Sequence, residues 1–508
     1  MSVATIYSRA QHGMDALRVS VEVHLSNGLP SFSIVGLPEA AVRESKDRVR
    51  AALINSNFEF PARRIIVNLA PAELPKQGGR FDLPIALGLL VASQQLQANS
   101  VEEYEFLGEL SLTGELRKTI GILPAAYACQ RDGCRLITSI ENSDELSPLS
   151  QTTYLCASHL LQVCAHLNKI EQLSYSPVSS KQSIDIDISS LNEVCGQRRA
   201  KRALCIAAAG QHHMLMIGSP GSGKTMLASR FPCLLTKLNQ EQMLETMSIY
   251  SIANVSGHTH EPLKRPFRAP HHTVSAVGLV GGGSTPKPGE ISLAHNGVLF
   301  LDEFTEFNRQ ALETLREPIE TGLITISRAN AQVVFPARFQ LIAAMNPCPN
   351  GCDINQYGQC QCSEQQLNLY RKKISAPILD RIDLQVSVPK LPCKDLFSQT
   401  EHPPEDWQAI KQRIQAAHRI QMQRQGVPNA CLSGESIKEA CRLSHTLQDK
   451  TIDMLEKLNL SARAFHKILK VARTIADLEN DIEVTNDITQ RHISEAMSYR
   501  QLDRLLKN

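Results

Sequence analysis

The thirteen residues His213 to Thr225, HMLMIGSPGSGKT, constrain this chain more than any other stretch. An apolar run, His213 to Ile217, leads into Gly218, Ser219, Pro220, Gly221, Ser222, Gly223, Lys224 and Thr225, which satisfy G-x-x-x-x-G-K-[ST] at every position. Glycines at these places let backbone N–H groups turn inward around a β-phosphate. Lys224 brings positive charge to the β- and γ-phosphates, and Thr225 offers a hydroxyl to magnesium. The stretch reads as a phosphate-binding loop between a strand and a helix, and it calls for ATP and magnesium as cofactors.

The chain has 508 residues, enough for about three domains of roughly 150 residues each. A hydrophobic content of 42% can fill their cores. The first twenty residues lack a charged segment followed by an apolar run, and no apolar run of about eighteen residues occurs. The expectation is a cytoplasmic protein without a membrane partner. Fourteen cysteines, of which four are closely grouped, fit reduced thiols better than a disulfide framework. A net charge of +2 neither requires nor excludes nucleic acid, because a basic stripe lining a channel vanishes in the sum.

Residues 1–172 mix strands and helices. Val19–Ser26, Ser31–Gly36 and Arg63–Pro71 alternate as strands, and Glu39–Ser56 has helical periodicity. The order of these pieces, with Glu73–Ser93 and Leu107–Cys129 after them, resembles the proteolytic domain of Lon-type proteases. That family places a serine nucleophile in the Gly-rich turn and a lysine soon after a later glycine. Here the turn is Gln77-Gly78-Gly79-Arg80-Phe81-Asp82, and Pro124 follows Gly121-Ile122-Leu123. No Ser–Lys dyad is visible, so the domain is expected to be an α+β scaffold or ligand-binding ring rather than a protease.

Residues 173–190 are Ser-rich and read as a linker. Residues 191–392 carry the nucleotide core. Val298–Leu301 reads as a buried strand ending in Asp302 and Glu303. Below a phosphate-binding loop, such a pair supplies a magnesium-shell carboxylate, Asp302, and a carboxylate that orients and deprotonates water, Glu303. Phe339–Pro347 is a further apolar run, with Asn346 near its tip. Several segments resemble AAA+ ATPases. The V-x-G-Q opening, with Val194 and Gln197, borders the adenine in that family; Asn346 takes the sensor-1 position; SAPILDRIDL matches the arginine-finger segment at Arg381; and SARAFHKIL places Arg463 at sensor 2. A guanidinium suits a finger because it stays charged and forks onto phosphate oxygens; the alternative is a surface arginine paired with Asp380 or Asp383. A finger acts on the neighbouring subunit, so the resemblance implies a ring, most often a hexamer. Residues 393–508 are helical in period and resemble the AAA+ lid.

Seventy-seven residues separate Lys224 from Asp302, a surplus that implies an insertion. Arg265–Gly297, with Gly281-Gly282-Gly283, Pro286 and Pro288, reads as an extended loop or hairpin within it. Arg316–Phe339 reads as a second hairpin around Ser327-Arg328-Ala329-Asn330. Together they resemble the helix-2 insert and pre-sensor-1 hairpin of replicative helicases and magnesium-chelatase ATPase subunits. The segments GLPEAAVRESKDRVRAA, NLAPAELPKQGGRFDLPIALGLL, RPFRAPHHTVS and PGEISLAHNGVLFLDE extend the likeness to the whole chain, which resembles the YifB/ComM family of magnesium-chelatase-like proteins. The fold implied is α/β: an AAA+ core with its parallel sheet between helices, a helical lid and a Lon-like amino-terminal domain. The function implied is a hexameric DNA helicase that drives branch migration during natural transformation, acting on single- and double-stranded DNA or branched junctions alongside recombination proteins. Arg328 and Lys287 are candidates for tracking phosphates in a central pore, with solubilising surface charge as the alternative. His271 and His272 are candidates for a structural role, for metal binding or for the pore.

Cys348, Cys352, Cys360 and Cys362 form C-x3-C-x7-C-x-C in the loop 348–362. Four thiolates in one short loop suit a structural tetrahedral zinc, with free thiols or redox chemistry as the alternative. Competing functions for the whole chain are a chelatase-type ATPase that remodels a protein partner, a Lon-like protease, which the missing dyad disfavours, and an ATP-switched scaffold.

Overall fold

The structure, a computed structural model, describes residues 2–97, 101–149, 154–173, 188–255, 264–283, 286–328, 331–352, 360–390, 405–458, 461–479 and 487–500. Of the expected linker, 173–190, residues 174–187 lie outside them, and its last three residues open the short helix Ile188–Glu193. Among the described residues the amino-terminal part has nine strands: β1 (Ser2–His12), β2 (Asp15–Ser26), β3 (Ser31–Val35), β4 (Arg64–Ala70), β5 (Tyr104–Phe106), β6 (Glu109–Leu110), β7 (Leu116–Arg117), β8 (Arg135–Ser139) and β9 (Tyr154–Ala157). Seven form one mixed sheet in the order β3-β4-β2-β1-β5-β8-β9, while β6 and β7 pair separately. Its core follows from alternation: Val19, Val21, Val23 and Leu25 all point inward from β2. Against that face lies the helix Asp82–Ala92, whose residues are buried almost throughout. Gly88 permits the close approach, since a Cβ there would lie 2.5 Å from Val23 Cγ2.

Two details differ from the sequence-based expectation. Strand β1 is an addition to that reading: its inward positions are Ala4, Ile6, Ser8 and Ala10, and with Ile6 as the single large side chain among them the alternation is weak. It pairs along its whole length with β2 in antiparallel register, from Ser2 opposite Leu25 to His12 opposite Asp15. The helix expected over Glu39–Ser56 is two helices, Ala40–Arg43 and Ser45–Asn55, which meet at Glu44.

The second unit contains β10 (Met214–Ile217), β11 (Phe267–Arg268), β12 (Gly281–Gly282), β13 (Lys287–Pro288), β14 (Val298–Leu301), β15 (Leu323–Arg328), β16 (Ala331–Pro336), β17 (Gln340–Met345) and β18 (Leu384–Ser387). Five of these make an all-parallel sheet in the order β11-β14-β17-β10-β18. Every residue of β10, β14 and β17 is buried, as expected of parallel strands covered on both faces. Strand β11 and two short helices correct the reading of Arg265–Gly297 as an extended loop or hairpin alone: Phe267 and Arg268 complete the edge of the sheet by pairing with Val298 and Leu299, and Ala276–Val280 and Glu290–Leu293 are helical. The rest of that stretch holds the small hairpin β12–β13, and β15–β16 forms a longer one; residues 329–330 at its tip lie outside the described residues. The carboxy-terminal helices Trp407–Gln425, Glu435–Ala440, His445–Leu458, Ala462–Glu479 and Gln490–Ser498 form the third unit. Buried residues of these helices share a core with the helix Arg198–Gly210 and with strands β10 and β18. Among the described residues no helix is long and apolar enough to cross a membrane.

The amino-terminal unit docks on the second through the helix Ile122–Arg131. Leu123 and Ala126 share an apolar cluster with Leu238, Met243, Leu244 and Met247 on and before the helix Gln240–Ala253. Ser251 adds two polar links, its carbonyl accepting from Gly121 N at 3.2 Å and its hydroxyl from Leu123 N at 3.4 Å.

His213, at the start of β10, ties three strands together. Its Nδ1 accepts from Leu341 N at 3.0 Å, and its backbone N–H donates to Asp383 Oδ2 at 3.2 Å. Its carbonyl accepts from Asp383 N and Leu384 N. An accepting Nδ1 requires an unprotonated nitrogen, and burial, opposed by nearby Asp383, lowers the pKa of His213 to about 4. The unfolded chain titrates this imidazole near its ordinary value of about 6.5. The folded pKa is therefore depressed, and the stabilisation is complete above pH 6.5 and lost as the pH falls toward 4. Denaturant unfolding between pH 7 and 4.5 should show that loss. His213→Gln should flatten it, at a baseline cost of about 1–2 kcal/mol; an unchanged slope would place the titration elsewhere.

Candidate nucleotide site and cysteine turn

The strand order brings the sequence-predicted residues together. With β17 between β10 and β14, the carboxyl ends of three neighbouring parallel strands carry the phosphate-binding loop, Asp302 and Asn346 side by side. Ligands of open α/β sheets settle at this edge. Thr225 Oγ1 donates to Asp302 Oδ2 at 2.6 Å, and Asp302 Oδ1 accepts from Glu303 N at 2.9 Å. Lys224 Nζ donates to the carbonyls of Gly218 and Ser219 at 2.7 and 2.9 Å and reaches Asn346 Oδ1 at 3.4 Å. Burial lowers the Lys224 pKa while Asp302 opposes the shift.

The loop's shape fits a polyphosphate. Gly221 and Gly223 hold φ of 73° and 93°, which side chains other than glycine rarely adopt. Gly218 is fixed by a close approach, since a Cβ there would lie 2.2 Å from the carbonyl of Val388 just beyond β18. The hydroxyls of Ser219 and Ser222 are buried and have no hydrogen-bond partner among the described residues, and such groups are rare unless a ligand or water meets them. ATP and magnesium, when bound, supply the scissile phosphoanhydride and a divalent charge that screens it. Gly218–Thr225 and Asp302 are the residues placed to hold them.

The other expected site residues stand as follows. Gln197 is buried and immediately precedes the helix Arg198–Gly210; its amide donates to Pro389 O at 2.6 Å and to Ser222 O at 3.3 Å. Val194 is buried in the core shared with the carboxy-terminal helices. Arg381 is engaged outside the loop, ion-paired to Glu320 Oε1 at 2.7 Å and donating to Pro377 O at 2.8 Å, rather than paired with Asp380 or Asp383 as the surface alternative supposed. Arg463 is exposed near the start of the helix Ala462–Glu479. Lys287 is exposed in β13, and Arg328 ends β15. His272, a candidate for a structural, metal-binding or pore role, lies just beyond β11 and places Nδ1 2.9 Å from Glu303 Oε2, while its ring lies 4.1 Å from that of His271. The sequence singles out this His-His pair but does not disclose its place beside Glu303.

The four cysteines converge: one sulfur from each of Cys348, Cys352, Cys360 and Cys362 lies within 4.8 Å of the others. Tetrahedral zinc with Zn–S bonds of about 2.3 Å accommodates such a set. Burial raises the Cys348 pKa, so a cation is what would hold that sulfur as thiolate. The turn leans on the nucleotide loop: Gly351 is so close to Pro220 that a Cβ would lie 2.6 Å from its Cδ. Metal analysis of the purified chain should therefore find one zinc per chain. Its removal by a chelator, or Cys352→Ser, should weaken ATP binding roughly three- to tenfold with helical content retained. An unchanged nucleotide affinity would show that the turn does not brace Pro220.

Comparison with known proteins agrees with this geometry. Residues 190–396 match the family described as "Magnesium chelatase, subunit ChlI", residues 21–142 "Subunit ChlI of Mg-chelatase", and residues 404–500 "Magnesium chelatase, subunit ChlI C-terminal". Competence protein ComM of Haemophilus influenzae is 48% identical over 516 residues, covering 100% of this chain and 99% of that protein. The protein YifB of Salmonella typhimurium is 47% identical over 506 residues, covering 100% and 98%. A partial likeness, 26% identity over 216 residues, relates 36% of the chain to 37% of Lon protease 2 of Bacillus subtilis. With full-length identity at this level and a parallel sheet carrying a phosphate-binding loop beside an Asp-Glu strand end, the chain belongs to the YifB/ComM family of magnesium-chelatase-like AAA+ ATPases.

Proposed function

We propose that this protein is an ATP-driven hexameric DNA helicase that promotes branch migration of recombining strands during natural transformation. The observation that carries the ATPase part is the contact of Thr225 with Asp302 beside Lys224 and Asn346 at one sheet edge. The DNA part rests on full-length likeness to a protein named for competence. In this reading residues 1–172 are a Lon-like domain without the dyad, 191–392 the ATPase core and 393–508 the lid. Lys224 and the loop bind the phosphates, and Asp302 and Thr225 orient magnesium. Glu303 takes a proton from the attacking water, with His272 holding its carboxylate in the resting geometry. Asn346 senses the γ-phosphate, Val194 and Gln197 border the base, and Arg463 closes the lid. Arg381 leaves Glu320 to reach the neighbouring subunit's nucleotide. Hairpin β15–β16, carrying Arg328, and hairpin β12–β13, carrying Lys287, move DNA backbone through the ring. Four cysteines hold a structural zinc.

The chelatase-like match favours one competing reading, an ATPase that remodels a protein partner; it shares the ATP site and differs only in what the hairpins touch. The protease reading finds no support in the turn Gln77–Arg80, which offers neither a serine nor a threonine.

The trans arrangement makes the sharpest prediction. Glu303→Gln should bind ATP yet hydrolyse it at least about a hundredfold more slowly, and Lys224→Ala should not bind it. Each of Arg381→Ala and Lys224→Ala should be inactive alone. Mixed, they should partly recover ATPase activity, because some interfaces then pair an intact loop with an intact arginine. No recovery at any mixing ratio would contradict catalysis across the interface.

A further inference from the structure

A cavity of about 340 Å³ lies between the amino-terminal unit and the second unit. Its walls include Gln11, the Gly78–Arg80 turn and Thr119 from one side, and Lys287 and Val333 of the two hairpins from the other. The volume falls in the range of small-ligand pockets, roughly 300–1,000 Å³. The nucleotide site described above uses none of these residues.

The cavity's polar groups are placed but unsatisfied. Arg80 is only 8% exposed, and its Nη2 donates to Ile120 O at 2.7 Å, whereas Nη1 is buried with no partner. Among the described residues no carboxylate lies within ion-pairing distance of this guanidinium, and burial lowers its pKa to about 10. A buried arginine without a counter-charge is costly unless an anion arrives to pair with it. Thr119, 5% exposed, is clamped by Asn142, which accepts from its N–H and donates to its carbonyl, both at 2.9 Å; its Oγ1 has no partner. Gln11 spends its amide N–H groups on Gly13 O and Asp15 O, leaving Oε1 unpartnered. Gln11 and Arg80 meet at Gly121, where an added Cβ would lie 3.0 Å from Gln11 Oε1 and 3.6 Å from Arg80 Nη2.

The wall also carries charge of both signs. Lys118 and Lys287 face it, the former shared with Glu145 at 3.6 Å, and so do Glu39 and Glu109. A ligand that suits this wall has an oxyanion for Arg80, Thr119 and Lys287, and hydroxyl or amino donors for Gln11, Glu39 and Glu109. A guanidinium fork favours phosphate oxygens, and sugar hydroxyls or base amino groups supply the donors. We propose that the cavity between the Gly78–Arg80 turn and Lys287 binds a nucleoside phosphate, either a free nucleotide or one unit of a DNA strand. Occupancy would join the amino-terminal unit to hairpin β12–β13.

The test uses the full chain carrying Lys224→Ala, so that the phosphate-binding loop does not compete, and two probes: AMP and a fluorescein-labelled strand of twenty thymidines. At least one probe should bind saturably. Arg80→Gln should weaken that binding at least about tenfold, and Lys287→Ala about threefold. Binding of AMP that depends on both residues assigns a free nucleotide; binding of the strand alone that depends on both assigns DNA. If neither probe saturates, or if both substitutions leave every titration unchanged, the proposal is overturned. Should Arg80→Gln fail to fold, AMP binding by Lys287→Ala and Thr119→Val decides, since Lys287 also serves the proposed DNA contact, and an AMP affinity unaltered by both overturns the proposal. None of these outcomes bears on ATP hydrolysis, which the background substitution has already removed.

Discussion

A parallel sheet buried on both faces has no room for polar groups except at the ends of its strands, and that constraint arranges this molecule. Strands β10, β14 and β17 contribute fourteen residues, all of them buried. Their order, with β17 in the middle, decides which strand ends become neighbours. Lys224 thereby comes within reach of Asn346, and Thr225 within 2.6 Å of Asp302, although 77 positions divide the latter pair in sequence. The chemistry at the edge is a consequence of packing in the interior.

Around that edge the other units act as supports. Gln197 fastens the loop carbonyl of Ser222 to Pro389 beyond β18, and the cysteine turn presses Gly351 against Pro220. On the lid side, Asp383 at the start of β18 is held by Lys467 at 2.9 Å and by His212 at 3.4 Å, while His212 Nε2 meets Thr474 Oγ1 at 2.7 Å. The carboxy-terminal helices are thus bonded at the start of β18, at the opposite strand ends from the nucleotide loop. The amino-terminal unit meets the helix Gln240–Ala253 and both hairpins, the parts of the core that follow the nucleotide loop in sequence.

What the sequence disclosed and what it hid divide along one line. The loop Gly218–Thr225, the strand before Asp302 and the cysteine spacing were legible because each is a local pattern in which the residue types and the chemistry coincide. Strand β1 is not legible because three of its inward residues, Ala4, Ser8 and Ala10, are small, and Ile6 alone between them makes no pattern. The place of Phe267 and Arg268 in the sheet was missed because two residues cannot show a period. His272 beside Glu303, Arg381 bound to Glu320 and Gly351 against Pro220 all depend on elements brought together by the strand order, and no spacing in the chain announces them.

The central claim, that ATP turnover at this edge moves DNA, is tested most directly by strand exchange on a fluorescently labelled four-way DNA junction, with the wild-type chain beside Glu303→Gln. The account predicts labelled exchange product only when the wild-type chain and ATP are both present. A wild-type chain that hydrolyses ATP but neither binds nor resolves the junction would contradict it, and would turn the same motor toward a protein partner.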